Sequence, residues 1–282
     1  MTTFKPFLTL LPALLMVVGC STVPSVKAEG RQEIQAQAVS NEAAKPAYDQ
    51  YAIALKKVDD QGLVNYTELQ AKRQPLDAFN SAIAEVKPST LAEWSPSDQL
   101  AFWMNAYNSL TLQSIVDQTP LKSSIKDIPG VWRIRKFDVA GSSKTLNDIE
   151  HQTIRAGFDE PRIHVALVCA ALSCPQLRNE PFVGERLDEQ LDDQTRRFLA
   201  SPQGLEIDRE AGVVRLSKIF DWYKDDWVPS FGVEDDRFAG NPAEKAVLNF
   251  VSGYLEPADQ EYLVAGNYQI EYLNYDWSLN KQ

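Results

Sequence analysis

The stretch Arg162–Leu177, RIHVALVCAALSCPQL, constrains this chain more than any other. It gathers one of only two histidines and two of only three cysteines into a single short span. The run Ile163–Ala171 is apolar enough to be a buried strand. It predicts a central strand over 163–170 in one α+β domain, a central sheet packed by helices. Any chemistry the protein performs is expected near this stretch.

The first residues set the address. Lys5 precedes an apolar run, Phe7–Val18, that is too short to span a bilayer as a mature helix, and Gly19-Cys20 follows as a processing site. Residues 1–19 therefore read as a signal peptide. Val17-Val18-Gly19-Cys20 resembles a bacterial lipobox, and the resemblance implies cleavage before Cys20 and lipidation of its sulfur and amine, palmitate being an expected acyl group. Ser21, rather than Asp, follows the cysteine and favours delivery to the outer membrane, with the domain periplasmic. The alternative is an ordinary secreted protein that keeps Cys20 free. Residues 20–46, rich in Ala, Gln, Ser and Glu, read as the lipidated cysteine and a tether with a root-mean-square span of about 25–30 Å. Residues 47–282 are left for one globular domain.

Loss of Lys5 with the signal peptide takes the formal net charge from −11 to −12. Nucleic acid is an unsuitable partner for such a chain, because phosphate binding needs a basic footprint. Membrane attachment should come from acyl chains at Cys20. With Cys20 acylated, Cys169 and Cys174 remain in an oxidising compartment, where an even pair is more often a disulfide than a free dithiol. All six tryptophans lie beyond residue 90, which places packed structure in the far part of the chain.

Along the domain, Tyr51, Ile53, Leu55 and Val58 fall on helical spacing, and Asp60-Gln61-Gly62 is a turn before the short extended piece Leu63–Tyr66. Leu76, Phe79, Ile83 and Val86 predict a second amphipathic helix that stops at Pro88. Ser95 and Pro96 open the clearest helix, Leu100–Val116, which is apolar nearly all round. Its Asn105 and Asn108 either tie down neighbouring loops or line a site. Trp132–Ala140 can form a strand. Thr145 and Asp148 then make a capping box for a short helix whose inner face is Leu146, Ile149, Thr153 and Ile154. On an α-helical wheel Glu150 lies at the edge of that face and His151 points roughly the other way. Leu187–Leu199 predicts a helix, Leu205–Leu216 a hairpin and Ala243–Leu255 a helix, with Tyr268–Tyr275 as a closing strand. The aromatic cluster Phe220, Trp222, Tyr223 and Trp227 reads as core under a loop or as a platform for stacking a sugar.

Several of these segments together resemble the uncharacterised family catalogued as domain of unknown function 547. The likeness rests on Ala101–Leu110 (AFWMNAYNSL), Leu146–His151 (LNDIEH), Arg162–Pro175, Leu216–Tyr223 (LSKIFDWY) and Tyr275–Asn280 (YDWSLN). It covers most of the chain from about residue 48 to the end, with Ala171 standing where a Ser is usual. The resemblance implies a domain and no established activity.

For chemistry the residues offer Cys174 or Cys169 as nucleophile, His164 or His151 as base, and Asn105 or Glu150 as the group that orients it. In a regular strand His164 and Cys169 would face opposite sides. Cys174 is the better nucleophile if Pro175 opens a helical turn and puts the thiol at its positive end. Both histidines precede the cysteines, unlike the papain order. A weaker, distant likeness to papain or transglutaminase folds would put Asn105 where transglutaminase-like folds carry the catalytic cysteine, leaving a dead binding module. Two histidines and two thiols without CxxC or HxxxH spacing match no common zinc pattern, so no metal and no cofactor is expected. The two readings are an envelope binding module and a thiol-dependent hydrolase or acyl or peptidyl transferase.

Overall fold

A computed structural model describes Pro46 and residues 48–282. The signal peptide 1–19, Cys20 and the tether up to residue 45 lie outside the described residues.

The amino-terminal part is helical. Helices α1 (Tyr48–Leu55), α2 (Tyr66–Ala71), α3 (Gln74–Glu85) and α4 (Pro88–Ala92) lead into the long α5 (Pro96–Val116). Pro88 thus ends one helix and starts the next, because a ring that blocks a helix interior is tolerated in a first turn. The Ser95 hydroxyl caps α5 by accepting from the Asp98 N–H. Among the described residues no helix is long and apolar enough to cross a membrane.

A small hairpin follows, β1 (Lys136–Val139) against β2 (Ser142–Thr145), so only these four of the nine residues of the expected strand Trp132–Ala140 form a strand. The expected capping box is present: Thr145 Oγ1 accepts from the Asp148 N–H at 3.1 Å, and Asp148 Oδ2 accepts from the Thr145 N–H at 2.9 Å. It opens a π-helix, Asp148–Ile154, that passes into α6 (Arg155–Gly157).

Helix α7 (Leu187–Leu199) precedes β3 (Leu205–Asp208) and β4 (Val213–Leu216). The short α8 (Lys218–Trp222) and α9 (Val228–Phe231), then α10 (Pro242–Ser252) and α11 (Pro257–Ala265), make the crossover to β5 (Gln269–Tyr272). β3 pairs antiparallel with β4, and β5 pairs parallel to β4, with Val214 opposite Ile270.

The domain is α+β as expected, but neither small sheet is central and Ile163–Ala171 is not a strand. Residues Pro161–Val165 form a 3-10 helix. Pro161 fixes the first turn, and the Glu160 carboxylate accepts from the Arg162 N–H at 3.0 Å, a cap that favours turning over extension. The segment lies where two apolar cores meet. Ile163 and Ala166 belong to the core built on α1–α5, while Val165 belongs to the one holding Phe198, Phe220, Trp227 and Phe250. Burial on all sides explains the unbroken apolar run without a sheet.

Candidate functional site

Past the 3-10 helix the backbone of the central segment is held from outside. Asn108 of α5 donates to the Ala166 carbonyl at 3.0 Å and accepts from the Val168 N–H at 2.8 Å. Asn105 makes the same two-point contact with Phe182, donating to its carbonyl at 2.7 Å and accepting from its N–H at 2.9 Å. Both asparagines therefore clamp loops, which gives each buried carboxamide the hydrogen-bond partners it needs. The carboxy-terminal tail does the rest. Asn280 N–H donates to the Ala170 carbonyl at 3.1 Å and Leu172 N–H to the Ser278 carbonyl at 2.8 Å. The Ser173 hydroxyl accepts from the Asp276 N–H at 2.8 Å.

Ala170 takes a left-handed conformation (φ 62°), which folds the chain back on itself. Cys169 and Cys174 are joined there as a disulfide, with their Cα atoms 6.2 Å apart. The Cys169 N–H points to Cys174 Sγ at 3.0 Å, and the Tyr275 hydroxyl sits 3.2 Å from Cys169 Sγ and 3.1 Å from Cys174 Sγ. Cys174 is buried and Cys169 half-buried. Pro175 opens no helix. The positive end expected beside the Cys174 thiol is thus absent, since the tail rather than a helical turn takes the local backbone bonds.

Both sulfurs line a cavity of about 660 Å³ together with His164, His151 and Glu150. Tyr107, Tyr223, Tyr275 and Trp132, Trp222 and Trp277 supply most of its aromatic wall. Of the residues offered for catalytic chemistry, Asn105 alone does not line it; Asn108, Phe220 and Trp227, also read as possible site members, do not line it either. The α-helical wheel misplaced His151: the wider winding of the π-helix turns each residue through a smaller angle, and both Glu150 and His151 reach the cavity.

His164 is buried, stacked on Tyr223 with centroids 4.0 Å apart, and its Nε2 lies 2.7 Å from Asp226 Oδ2. A carboxylate only accepts, so Nε2 carries the proton. Arg155 donates to both oxygens of Asp226 at 2.7 Å. Burial pushes the His164 imidazole below its ordinary value and outweighs Asp226, which works the other way. For Asp226 burial acts upward, yet the His164 and Arg155 hydrogen bonds prevail and hold the carboxyl well below the usual range. His151 Nδ1 accepts from Arg155 at 3.1 Å.

Glu150 is surrounded by phenols. Tyr223 donates to its Oε1 at 2.7 Å, and Tyr107 and Tyr275 lie near enough to feel its charge. Burial first, and the Glu150 carboxylate second, push the Tyr107, Tyr223 and Tyr275 hydroxyls upward, so all three stay protonated. Among the described residues no group of three or more His, Cys, Asp or Glu is placed to hold a metal ion.

Residues 91–199 match the family model described as "Protein of unknown function, DUF547". The match spans α5, the π-helix and the disulfide loop and supports the resemblance over the motifs Ala101–Leu110, Leu146–His151 and Arg162–Pro175; the motifs Leu216–Tyr223 and Tyr275–Asn280 lie beyond it. No curated protein and no solved structure matches this chain.

Sequence reasoning did not single out Arg155, Asp226, Tyr107, Tyr275 or Trp277 as members of the site. Arg155 carried a usable signal, four residues after His151 on one helical run. Asp226 carried none, being brought in from 62 residues beyond His164.

Proposed function

We propose that the protein is a lipid-anchored, non-catalytic binding module of the cell envelope, held to the outer membrane through Cys20, whose cavity takes a small organic ligand. The observation that carries the binding reading is the Cys169–Cys174 disulfide in the cavity wall, which leaves no thiolate where a nucleophile would be needed. The cavity volume, about 660 Å³, falls within the range of small-molecule sites, and its mainly apolar lining, rich in aromatic rings and with a few polar groups, fits that use. The lipobox and tether support the anchor.

The thiol-enzyme reading keeps one specific support. His164, oriented by Asp226, lines the same cavity as both sulfurs, so reduction would expose a thiol near an imidazole with a fixed tautomer. Alkylation of the purified mature protein under native conditions without reductant, mapped by mass spectrometry, separates the two. The binding reading expects no adduct at either cysteine. Selective modification of Cys174 that disappears in His164→Ala makes the protein a thiol hydrolase or transferase instead. The anchor is tested apart, by alkyne fatty acid labelling that Cys20→Ala abolishes; label retained in that variant, or absent from wild type, removes it.

A further inference from the structure

In the buried part of the cavity wall stands a carboxylate that makes no salt bridge among the described residues. Glu150 is only 9% exposed, and its hydrogen-bond donor is the neutral hydroxyl of Tyr223, with the Tyr107 phenol beside it. Among the described residues no lysine, arginine or histidine forms an ion pair with it. Arg155, five residues on, directs its guanidinium hydrogen bonds to Asp226 at 2.7 Å and to His151 at 3.1 Å, and acts on Glu150 only as a charge at longer range. Lys126 and Arg133, the basic side chains of the cavity lining, are exposed. Hydroxyl donors stabilise an anion but leave its charge in place, and a buried charge with no counterion is costly.

The walls around this carboxylate are suited to a cation. Trp222 stacks on Trp277 with centroids 5.9 Å apart and lies 4.8 Å from Tyr275. Two of the lining rings already carry cations of the chain itself: Lys126 Nζ is 4.9 Å from the centroid of Trp277, and the Arg155 guanidinium is 5.0 Å from that of Tyr223. Negative ring faces beside a carboxylate attract an ammonium group, and reject an anion whatever its apolar body offers. Trp222, 47% exposed, presents an indole at the open side where the body of a ligand would enter.

Building on the binding reading, we propose that the cavity recognises an organic ammonium group, a primary or quaternary amine on an apolar or aromatic body. The charge lies against Glu150, and the body lies between the indole and phenol rings. The ligand then supplies the directly contacting counterion that Glu150 lacks among the described residues, which ties occupancy to charge as well as to shape.

Isothermal titration of the oxidised mature protein with three probes of similar size tests this: 2-phenylethylamine, 2-phenylethanol and 3-phenylpropionate. The amine is expected to bind about ten-fold tighter than the alcohol, with the carboxylate weakest. Glu150→Gln keeps an acceptor for the tyrosine hydroxyls and removes the charge, so the preference for amine over alcohol should shrink to about two-fold or less. Trp222→Ala removes an exposed ring, leaves the fold intact, and should weaken the amine about three-fold. Equal binding of all three probes by wild type, or an undiminished amine preference in Glu150→Gln, overturns the charge assignment and leaves the binding reading standing. Absence of saturable binding by every probe, with both cysteines oxidised, also overturns the proposal. Absence of binding together with selective alkylation of Cys174 removes the binding reading as well.

Discussion

Helix α5 and the segment Arg162–Leu177 are both apolar and buried, and they satisfy their backbones in opposite ways. In α5 the amide ladder is internal, and small polar side chains turn back onto it: Thr111 donates to the Tyr107 carbonyl at 2.8 Å and Ser114 to Leu110 at 2.9 Å. After its opening turn, the central segment has no such ladder. Its carbonyls and amides are met by Asn108, 58 and 60 residues away, and by the tail, about 100 residues away. A helix of this kind is specified where it stands in the sequence, whereas the cavity wall is specified by parts of the chain far from it.

The largest effects should come from side chains packed in the two regions. Trp103→Ala in α5 should cost about 3–5 kcal/mol, and Leu167→Ala in the segment about 2–5 kcal/mol, read by denaturant unfolding. Both residues are buried. Variants that melt within a degree or two of wild type would place those side chains outside the core. Asn108→Ala sharpens the contrast, because it strands the Ala166 carbonyl and the Val168 amide together. A loss of about 2–4 kcal/mol is expected, with faster amide exchange confined to the segment while α5 stays protected. Equal loosening of both regions would mean that the segment does not depend on that clamp.

Smaller effects concern the site. Tyr275→Phe removes the hydroxyl that contacts both sulfurs and should cost about 0.5–1 kcal/mol, since sulfur is a weak partner. A loss several times larger would make Tyr275 a structural keystone. The smallest is a pH effect of defined sign. The folded state holds His164 below its ordinary value, so the unfolded chain takes up that proton first. Stability from this group is full above about pH 6.5 and falls as the pH drops below it, toward the folded value. Asp226 acts in the same direction at much lower pH. In His164→Gln the loss of stability between pH 7.5 and 5 should shrink; an unchanged slope would assign it to other groups.

Legibility followed the same division. The spans of α1, α3, α5 and α7, the Thr145–Asp148 capping box and the hairpin β3–β4 could be read in the sequence because caps, periodicity and turn residues act locally. The reading of Ile163–Ala171 as a strand failed because an unbroken apolar run reports burial, and burial between two cores looks like burial in a sheet. The site was half legible. His164, Cys169 and Cys174 drew notice by their rarity, and Glu150 by its place at the edge of a helix face. Asp226 and Tyr275, 62 and 106 residues from their partners His164 and Cys169, join the site only through the fold.

The oxidised state of the cavity wall is central, since it separates a binding module from a thiol enzyme. The most direct test is intact mass spectrometry of the mature protein, denatured in excess alkylating agent before and after reduction. No adduct at Cys169 or Cys174 before reduction, and one on each after it, is the predicted result. Adducts on both without reduction would contradict the account and return Cys174 and His164 to the place of a catalytic pair.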